Sequence, residues 1–356
     1  MKILAVNSSP RKEEHSKTAL MLQHLVEGMQ AAGGQVEVVH LRTRKIKRCI
    51  GCFACWTQTP GHCIHKDDMT LDIFPRWAAA DLAVYATPLY YHTMNSAMST
   101  FMERTLPAVE PFFELDRGCT YHPLRFPTPA VVWLSVCGFP EEAEFDAFSE
   151  FIRRTNHRDI NIVAEIYRPA AETMASPLFE EQKRDILEAT RQAGAELVDG
   201  MRVSPATMAQ IRQPLGDPRM HAEIGNTFWK TCIAEGLTPR QFKARHMVPR
   251  PDSMDAFRYF FPIGLNAAAA GQRRVLLQFE FHGAQKGTCH FAIEGGQIEG
   301  KSGAARRPDI AITTPFDLWM DIMTGKADGQ QMFMAQKYTV EGDLDLMIKL
   351  FQRDVP

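Results

Sequence analysis

Long hydrophobic runs are missing from this 356-residue sequence. The opening MKILAVNSSPRKEEHS turns polar after one short apolar run, so neither a signal peptide nor a membrane span is expected, and a cytoplasmic location follows. Charge of one sign is also missing. With a formal net charge of -2, the chain offers no electrostatic case for nucleic acid or an anionic membrane as partner. Hydrophobic and charged contents of 45% and 23% are those of an ordinary globular protein. No internal repeat or low-complexity segment breaks the pattern. Cysteine is sparse outside one place: Cys119, Cys137, Cys232 and Cys289 are scattered and read as small buried apolar residues. The other four crowd into CIGCFACWTQTPGHC at 49 to 63. In a reducing compartment such a run suggests metal or redox chemistry rather than disulfides.

What is present is an alternation. KILAV at 2 to 6, VEVVHL at 36 to 41, DLAVYA at 81 to 86, TPAVVWLSV at 128 to 136 and NIVAEIY at 161 to 167 are short apolar runs suited to buried parallel strands. Helical segments lie between them. Leu20, Leu22, Leu25, Val26 and Met29 recur at helical spacing until Gly33-Gly34, DDMTLDIFPRWAAAD reads as a helix kinked at Pro75, and 179 to 200 is a long amphipathic helix. Five strands alternating with helices over about 200 residues indicate a doubly wound α/β domain. Ligands in such sheets sit beyond the strand carboxyl ends, where the strand order reverses. The loops after Val6, Ala86 and Val136 are therefore the expected site.

The first of these loops, NSSPRKEEHSKT, carries neither GxGxxG nor GxxxxGK[ST], so a dinucleotide fingerprint or P-loop is not expected there. Ser8, Ser9, Ser16 and Thr18 offer hydroxyls and Arg11 a guanidinium fork to an anion at a helix N-terminus. Ser16 serving as an ordinary helix cap is the alternative. The order KILAVNSSPRKEEHSKTALML, then CIGCFACW and CIHKDDM, then ADLAVYATPLYYHTMNSAMSTFMER resembles the NADPH-dependent FMN reductase group of flavodoxin-like proteins over residues 1 to 195. That resemblance implies a five-stranded parallel sheet of order 2-1-3-4-5 and bound FMN. Its usual first loop, NGSPR then SNT, maps onto Asn7-Ser8-Ser9-Pro10-Arg11 and Ser16-Lys17-Thr18, with Ser8 in place of glycine and Lys17 in place of asparagine. Thr87, Pro88, Leu89, Tyr90 and Tyr91 would wall the isoalloxazine ring, with Met94 and Asn95 behind. Ser135, Cys137, Gly138 and Phe139 would approach it from the next strand.

The cysteine run resembles that of iron-sulfur flavoproteins, in which C-x2-C-x2-C and a later fourth cysteine hold a [4Fe-4S] cluster. Cys49, Cys52, Cys55 and Cys63 are the ligands this implies, with His62 as a substitute. The preceding RTRKIKR could lower the thiol pKa values or be a solvated edge. Packing beside a flavin without metal is the alternative.

From 201 to 254 the composition shifts, and a connector with a short helix near Asn226 to Glu235 is expected. Beyond it, VLLQFEFHG, FAIEGGQIEGKSG and PDIAITTPFDLWMDIMTGKADGQQMFMAQKYTVEGDLDLMIKLF resemble a sterol carrier protein 2 domain, α+β, over 255 to 356. Phe316, Trp319, Met320 and Met323 form one helical face, and Met332, Phe333 and Met334 add bulk. Such a stripe packs a core or lines an apolar, lipid-like ligand site.

The function these resemblances imply is an FMN-dependent oxidoreductase taking hydride from NAD(P)H and reducing a quinone, a nitro compound, a flavin or an iron centre. No catalytic acid or base is assigned, since the cofactor carries the chemistry. The alternatives are an iron-sulfur flavoprotein electron carrier and a non-enzymatic lipid-binding protein. A homo-oligomer is expected in each case.

Overall fold

The computed structural model describes residues 1–116, 118–155 and 162–352. It divides into two compact units, Met1–Leu215 and Gly216–Pro356.

In the first unit the strands are β1 (Lys2–Asn7), β2 (Gln35–His40), β3 (Leu82–Tyr90), β4 (Thr93–Met94), β5 (Glu114–Asp116), β6 (Cys119–Tyr121), β7 (Ala130–Val136) and β8 (Ile162–Arg168). The helices are α1 (Lys17–Ala31), α2 (Phe74–Ala78), α3 (Ser96–Glu103), α4 (Asp146–Thr155), α5 (Glu180–Gly200) and α6 (Pro205–Arg212). The main sheet runs β2-β1-β3-β7-β8, all parallel. This is the expected order, with one addition: β4 folds back antiparallel on the end of β3. Asn161, the expected first residue of the last strand, lies outside the described residues.

The apolar runs of β1 and β3 form strands because both faces are covered, whereas the edge strand β2 buries only Val39. Ile3, Leu4, Ala5 and Val6 are each at most 2% exposed, and Leu82 to Ala86 are equally buried. Pro75 cannot donate a backbone hydrogen bond, and the chain accommodates it through a π-helical turn at Met69–Ile73 that leads into α2. The strand order reverses between β1 and β3, so the crevice lies at the carboxyl ends of these two strands.

The second unit holds α7 (Pro218–Ala234), α8 (Pro239–Ala244), α9 (Met254–Phe260), β9 (Val275–His282), β10 (Gly287–Glu294), β11 (Gln297–Ser302), β12 (Ile310–Pro315), α10 (Phe316–Met323), α11 (Gly329–Met334), β13 (Thr339–Gly342) and α12 (Leu344–Phe351). The sheet order is β11-β10-β9-β12-β13, antiparallel except for the β9–β12 pair. Residues 201–254, expected to carry one short helix, contain α6, α7 and α8. Prolines at the first turns of these helices, capped by Ser204, Asp217 and Thr238, start them rather than break them. Phe316, Trp319 and Met320 are buried in a core with Phe257, Phe279 and Phe291, and Met323 packs against it. Met334 instead stands exposed.

The letters Gly295 to Ser302 also fit a P-loop pattern. Structure dissolves the match, because Gly295 and Gly296 form the turn between β10 and β11 and no helix follows to meet a phosphate.

Candidate functional site

The carboxyl ends of β1, β3 and β7 are tied together by buried polar groups. Ser8 donates from both its backbone N (2.9 Å) and its hydroxyl (3.2 Å) to the carbonyl of Ala86. The Asn95 side chain donates to the Ser8 carbonyl at 2.7 Å and accepts from Met98 N, capping α3. Thr87 Oγ1 accepts from Asn95 N at 3.3 Å, and Ser135 donates to the Thr87 carbonyl at 2.9 Å. These side chains shape the crevice by fixing its backbone, so Ser8, Thr87, Asn95 and Ser135 are committed to protein partners.

The first loop is built the same way. Ser16 caps α1 by accepting from Ala19 N (3.0 Å) and donates to Ser9 Oγ (2.8 Å). Ser9 Oγ also accepts from Arg11 N at 3.4 Å. Its own proton therefore has no partner in this set, which leaves Ser9 a donor for an incoming anion. Thr18 is buried in the first turn of α1. Arg11 pairs with Glu172, both side chains more than half exposed. An exposed pair contributes little, so the guanidinium is available to exchange partners.

Tyr90 and Tyr91 stand out toward solvent, Tyr91 at 99% exposure. Tyr90 pairs with Thr93 across a two-residue turn in which Tyr91 and His92 both have left-handed backbone, φ 50° and 58°. That is the geometry normally given to Asn-Gly. Replacing Tyr91 by Gly removes the Cβ strain at a residue without buried contacts. The expected result is a gain of about 0.5–1 kcal/mol in unfolding free energy, read by urea titration.

Leu89 is half-buried against the core, Met94 and Cys137 are inside it, and Phe139 projects into solvent. No atom would come within 4 Å of a Cβ at Gly138, so the space beside it is open. Pro88 continues β3. Cys137 donates to the Phe139 carbonyl at 3.3 Å, and burial pushes its thiol up to about 11. At pH 8 only about 0.1% would be thiolate. Iodoacetamide in the folded protein should therefore spare Cys137 and modify exposed Cys119 within the same sample, read by peptide mass spectrometry.

The cysteine segment forms a second locus. Gly51 and Phe53 both take left-handed backbone and coil the chain, so that Cys49, Cys52, Cys55 and Cys63 all line one small pocket. Burial, then the neighbouring Cys63, Cys49 and Cys52, push the Cys55 thiol above its ordinary value. The basic run does not supply the opposing charge. Arg42 pairs with Glu13, Arg44 pairs with Asp72, and Lys45, Lys47 and Arg48 are exposed. The cation at the thiols is Arg104, 2% exposed, which lines the pocket and interacts with Cys63.

Arg104 forms a bidentate pair with buried Asp67 at 2.7 and 3.1 Å. Asp67 also accepts from Lys47 N and Thr70 N. Burial alone would raise the Asp67 carboxyl, and these hydrogen bonds override it and hold the group well below the usual range. His62 is exposed, whereas His65 lines the pocket and its Nε2 is buried without a partner. Among the described residues no group of three or more His, Cys, Asp or Glu could hold a single metal ion. A mononuclear site needs its donors around one ion, while each thiolate of a cuboidal cluster binds a different iron and the cage is wider. Four cysteines on one pocket supply the number and type of donors of the second arrangement.

The pair Asp67–Arg104 and His65 are the residues that pattern reading missed, although CIHKDDM and FMER contain them. A wider cavity, lined by Phe145, Ser149, Glu165, Tyr167 and Arg212 among others, includes none of the expected site residues.

Residues 1–115 match the family model of NADPH-dependent FMN reductase, and residues 267–352 that of the SCP-2 sterol transfer family. Two curated proteins of Archaeoglobus fulgidus, each described as "Iron-sulfur flavoprotein", are 34% identical over 108 residues and 32% over 105, in both cases 30% of this chain. The matches cover 46% and 49% of those proteins, so the chain spans about half the length of the curated relatives it matches. Among solved structures, an FMN-dependent NADH-azoreductase from Bacillus anthracis in complex with FMN is 13% identical, covering 55% of this chain and 99% of its own, at a TM-score of 0.42. An NAD(P)H:quinone oxidoreductase from Methanothermobacter marburgensis is 17% identical, covering 55% and 98%, also at 0.42. No helix of the described residues is long and apolar enough to cross a membrane. The chain thus carries a match to the NADPH-dependent FMN reductase model over residues 1–115 and a match to the SCP-2 sterol transfer model over residues 267–352.

Proposed function

We propose that the first unit is an FMN-dependent oxidoreductase in which Cys49, Cys52, Cys55 and Cys63 hold an iron-sulfur cluster as a second redox centre. The observation that carries the reading is the convergence of these four cysteines on one pocket with the buried Arg104. The stretch of 34% identity to an iron-sulfur flavoprotein supports it. When bound, the flavin supplies hydride and single-electron transfer and the cluster single-electron transfer.

The protein's part is binding and orientation. Ser9, Arg11 and the α1 N-terminus would receive the flavin phosphate, with Ser16 and Thr18 setting the loop. Backbone of Thr87 to Leu89, Met94 and Cys137 to Phe139 would border the ring, and the Tyr90-Tyr91 hairpin would wall it. Ser8, Asn95 and Ser135 keep these strand ends in register. NAD(P)H is the proposed reductant and a small acceptor, such as a quinone, the proposed oxidant, each using the open side of the crevice in turn. Anaerobic purification with FMN, iron and sulfide assays tests the reading. It expects flavin, four iron and four sulfide per chain, and quinone-dependent oxidation of NADH or NADPH. Flavin without iron would leave the simpler reductase; protein without flavin would sink both.

For the second unit we propose an apolar ligand. The favouring observation is Trp319, 4% exposed in the aromatic core with its indole N–H lacking any hydrogen-bond partner among the described residues. A buried donor of this kind is costly unless some acceptor reaches it. Extraction of the purified protein followed by lipid mass spectrometry, with Trp319→Phe alongside, should show a bound apolar compound that the variant retains less well. An empty wild type would count against it.

A further inference from the structure

Arginine has five N–H groups in a fixed fork. In Arg104 the Nη1 nitrogen donates to the Lys47 carbonyl (2.6 Å) and Asp67 (2.7 Å), and Nη2 donates to Asp67 (3.1 Å) and Thr70 Oγ1 (2.8 Å). Four donors are spent on protein oxygens. The fifth, Nε–H, is buried with no hydrogen-bond partner among the described residues. The side chain is 1% exposed, lines the cysteine pocket, and interacts with the Cys63 sulfur. A guanidinium held by four hydrogen bonds, lining a thiol pocket with its fifth donor unspent, is more than a salt bridge requires.

We infer that Arg104 is a positioning residue for the iron-sulfur centre, its Nε–H donating to the Cys63 sulfur when that sulfur is an iron ligand. The inference rests on the cluster reading above. Its physical consequence is specific. A hydrogen bond and a fixed positive charge at a ligand sulfur stabilise the reduced, more negative cluster and raise its potential. Asp67 partly offsets that charge and chiefly fixes the fork's direction.

The test uses the full chain, reconstituted anaerobically with iron and sulfide, as wild type and as Arg104→Lys. Lysine keeps the charge opposite Asp67 and lacks the planar fifth donor. Iron content and an EPR-monitored redox titration are read on both. The expected result is a retained cluster whose reduction equilibrium shifts about tenfold toward the oxidised form, ~59 mV more negative for one electron. A retained cluster with unchanged potential overturns the inference. Should the variant lose the cluster, unmutated protein labelled with 15N at arginine Nε decides: pulsed EPR of the reduced cluster shows a 15N coupling, and its absence overturns the inference. Wild type that binds no iron or sulfide overturns the cluster reading itself, which the iron assay reports before any titration.

Discussion

Asp67→Ala should lower the unfolding free energy of the first unit by about 3–5 kcal/mol, the cost of leaving one partner of a buried ion pair uncompensated. Asp67 and Arg104 side chains are 3% and 1% exposed, so water cannot replace the lost carboxylate. Lys47 N and Thr70 N lose their acceptor as well. The pH dependence has a definite sign. Because the folded carboxyl lies below its unfolded value, near 4, its contribution is complete above that pH and declines as pH falls toward the folded pKa. Wild type should therefore be insensitive to pH between 5 and 7 on this account and lose stability below about 4, while the variant loses less there. Urea titration with amide exchange on β1 and β3 reads the first unit apart from the second. A loss under about 1 kcal/mol would show that the pair contributes little. On the proposed cluster reading, Asp67→Ala should also lower cysteine-bound iron, since Arg104 would no longer be held against the pocket.

This pair shows where sequence reading stops. The five strands were legible as short apolar runs between helical periods, a local signal that burial on both faces enforces at β1 and β3, whereas their order came from the resemblance to the FMN reductase group. The three loops of the crevice followed from the rule that ligands sit beyond the carboxyl ends of such strands. Asp67 and Arg104 lie 37 positions apart, in a loop and at the end of a helix, and a charged residue carries no local mark of being buried. The Tyr91-His92 turn was hidden for a related reason: its backbone is one that Asn-Gly would advertise and these residues do not. Among the cysteines, spacing identified the four that share a pocket, while the buried cation beside them carried no such mark. RTRKIKR is nearer in sequence, and of its two open readings the solvated edge is the one its side chains take, turning to carboxylates and to solvent. The prolines of 201–254 look like breaks until their caps are seen, because a proline that starts a helix and one that ends it are the same letter.

Gly28→Ala and Gly194→Ala should each cost about 3 kcal/mol, against the helix propensity that favours alanine by ~1 kcal/mol. A Cβ on Gly28 would stand 1.7 Å from the Arg191 carbonyl oxygen, and one on Gly194 2.0 Å from that of Leu25. These are backbone atoms of the facing helix, so no side-chain rotation relieves the clash; α1 and α5 must move apart. The two sites are halves of one close approach. Once either substitution has separated the helices the second has less to displace, so the double variant should fall short of the sum, a non-additivity that a double-mutant cycle measures. Gly225→Ala is the control: it lies in α7 with nothing within 4 Å of its would-be Cβ, and should stabilise its own unit by about 0.5–1 kcal/mol. The consequence reaches the crevice through α1. Its cap, Ser16, holds Ser9 by a 2.8 Å hydrogen bond, so a displaced α1 carries the phosphate loop with it. FMN titration should find weaker binding in Gly28→Ala and Gly194→Ala than in the control. Unchanged affinity with lowered stability would mean that the loop is held by its contacts to β3, through Ser8 and Asn95, rather than by the helix.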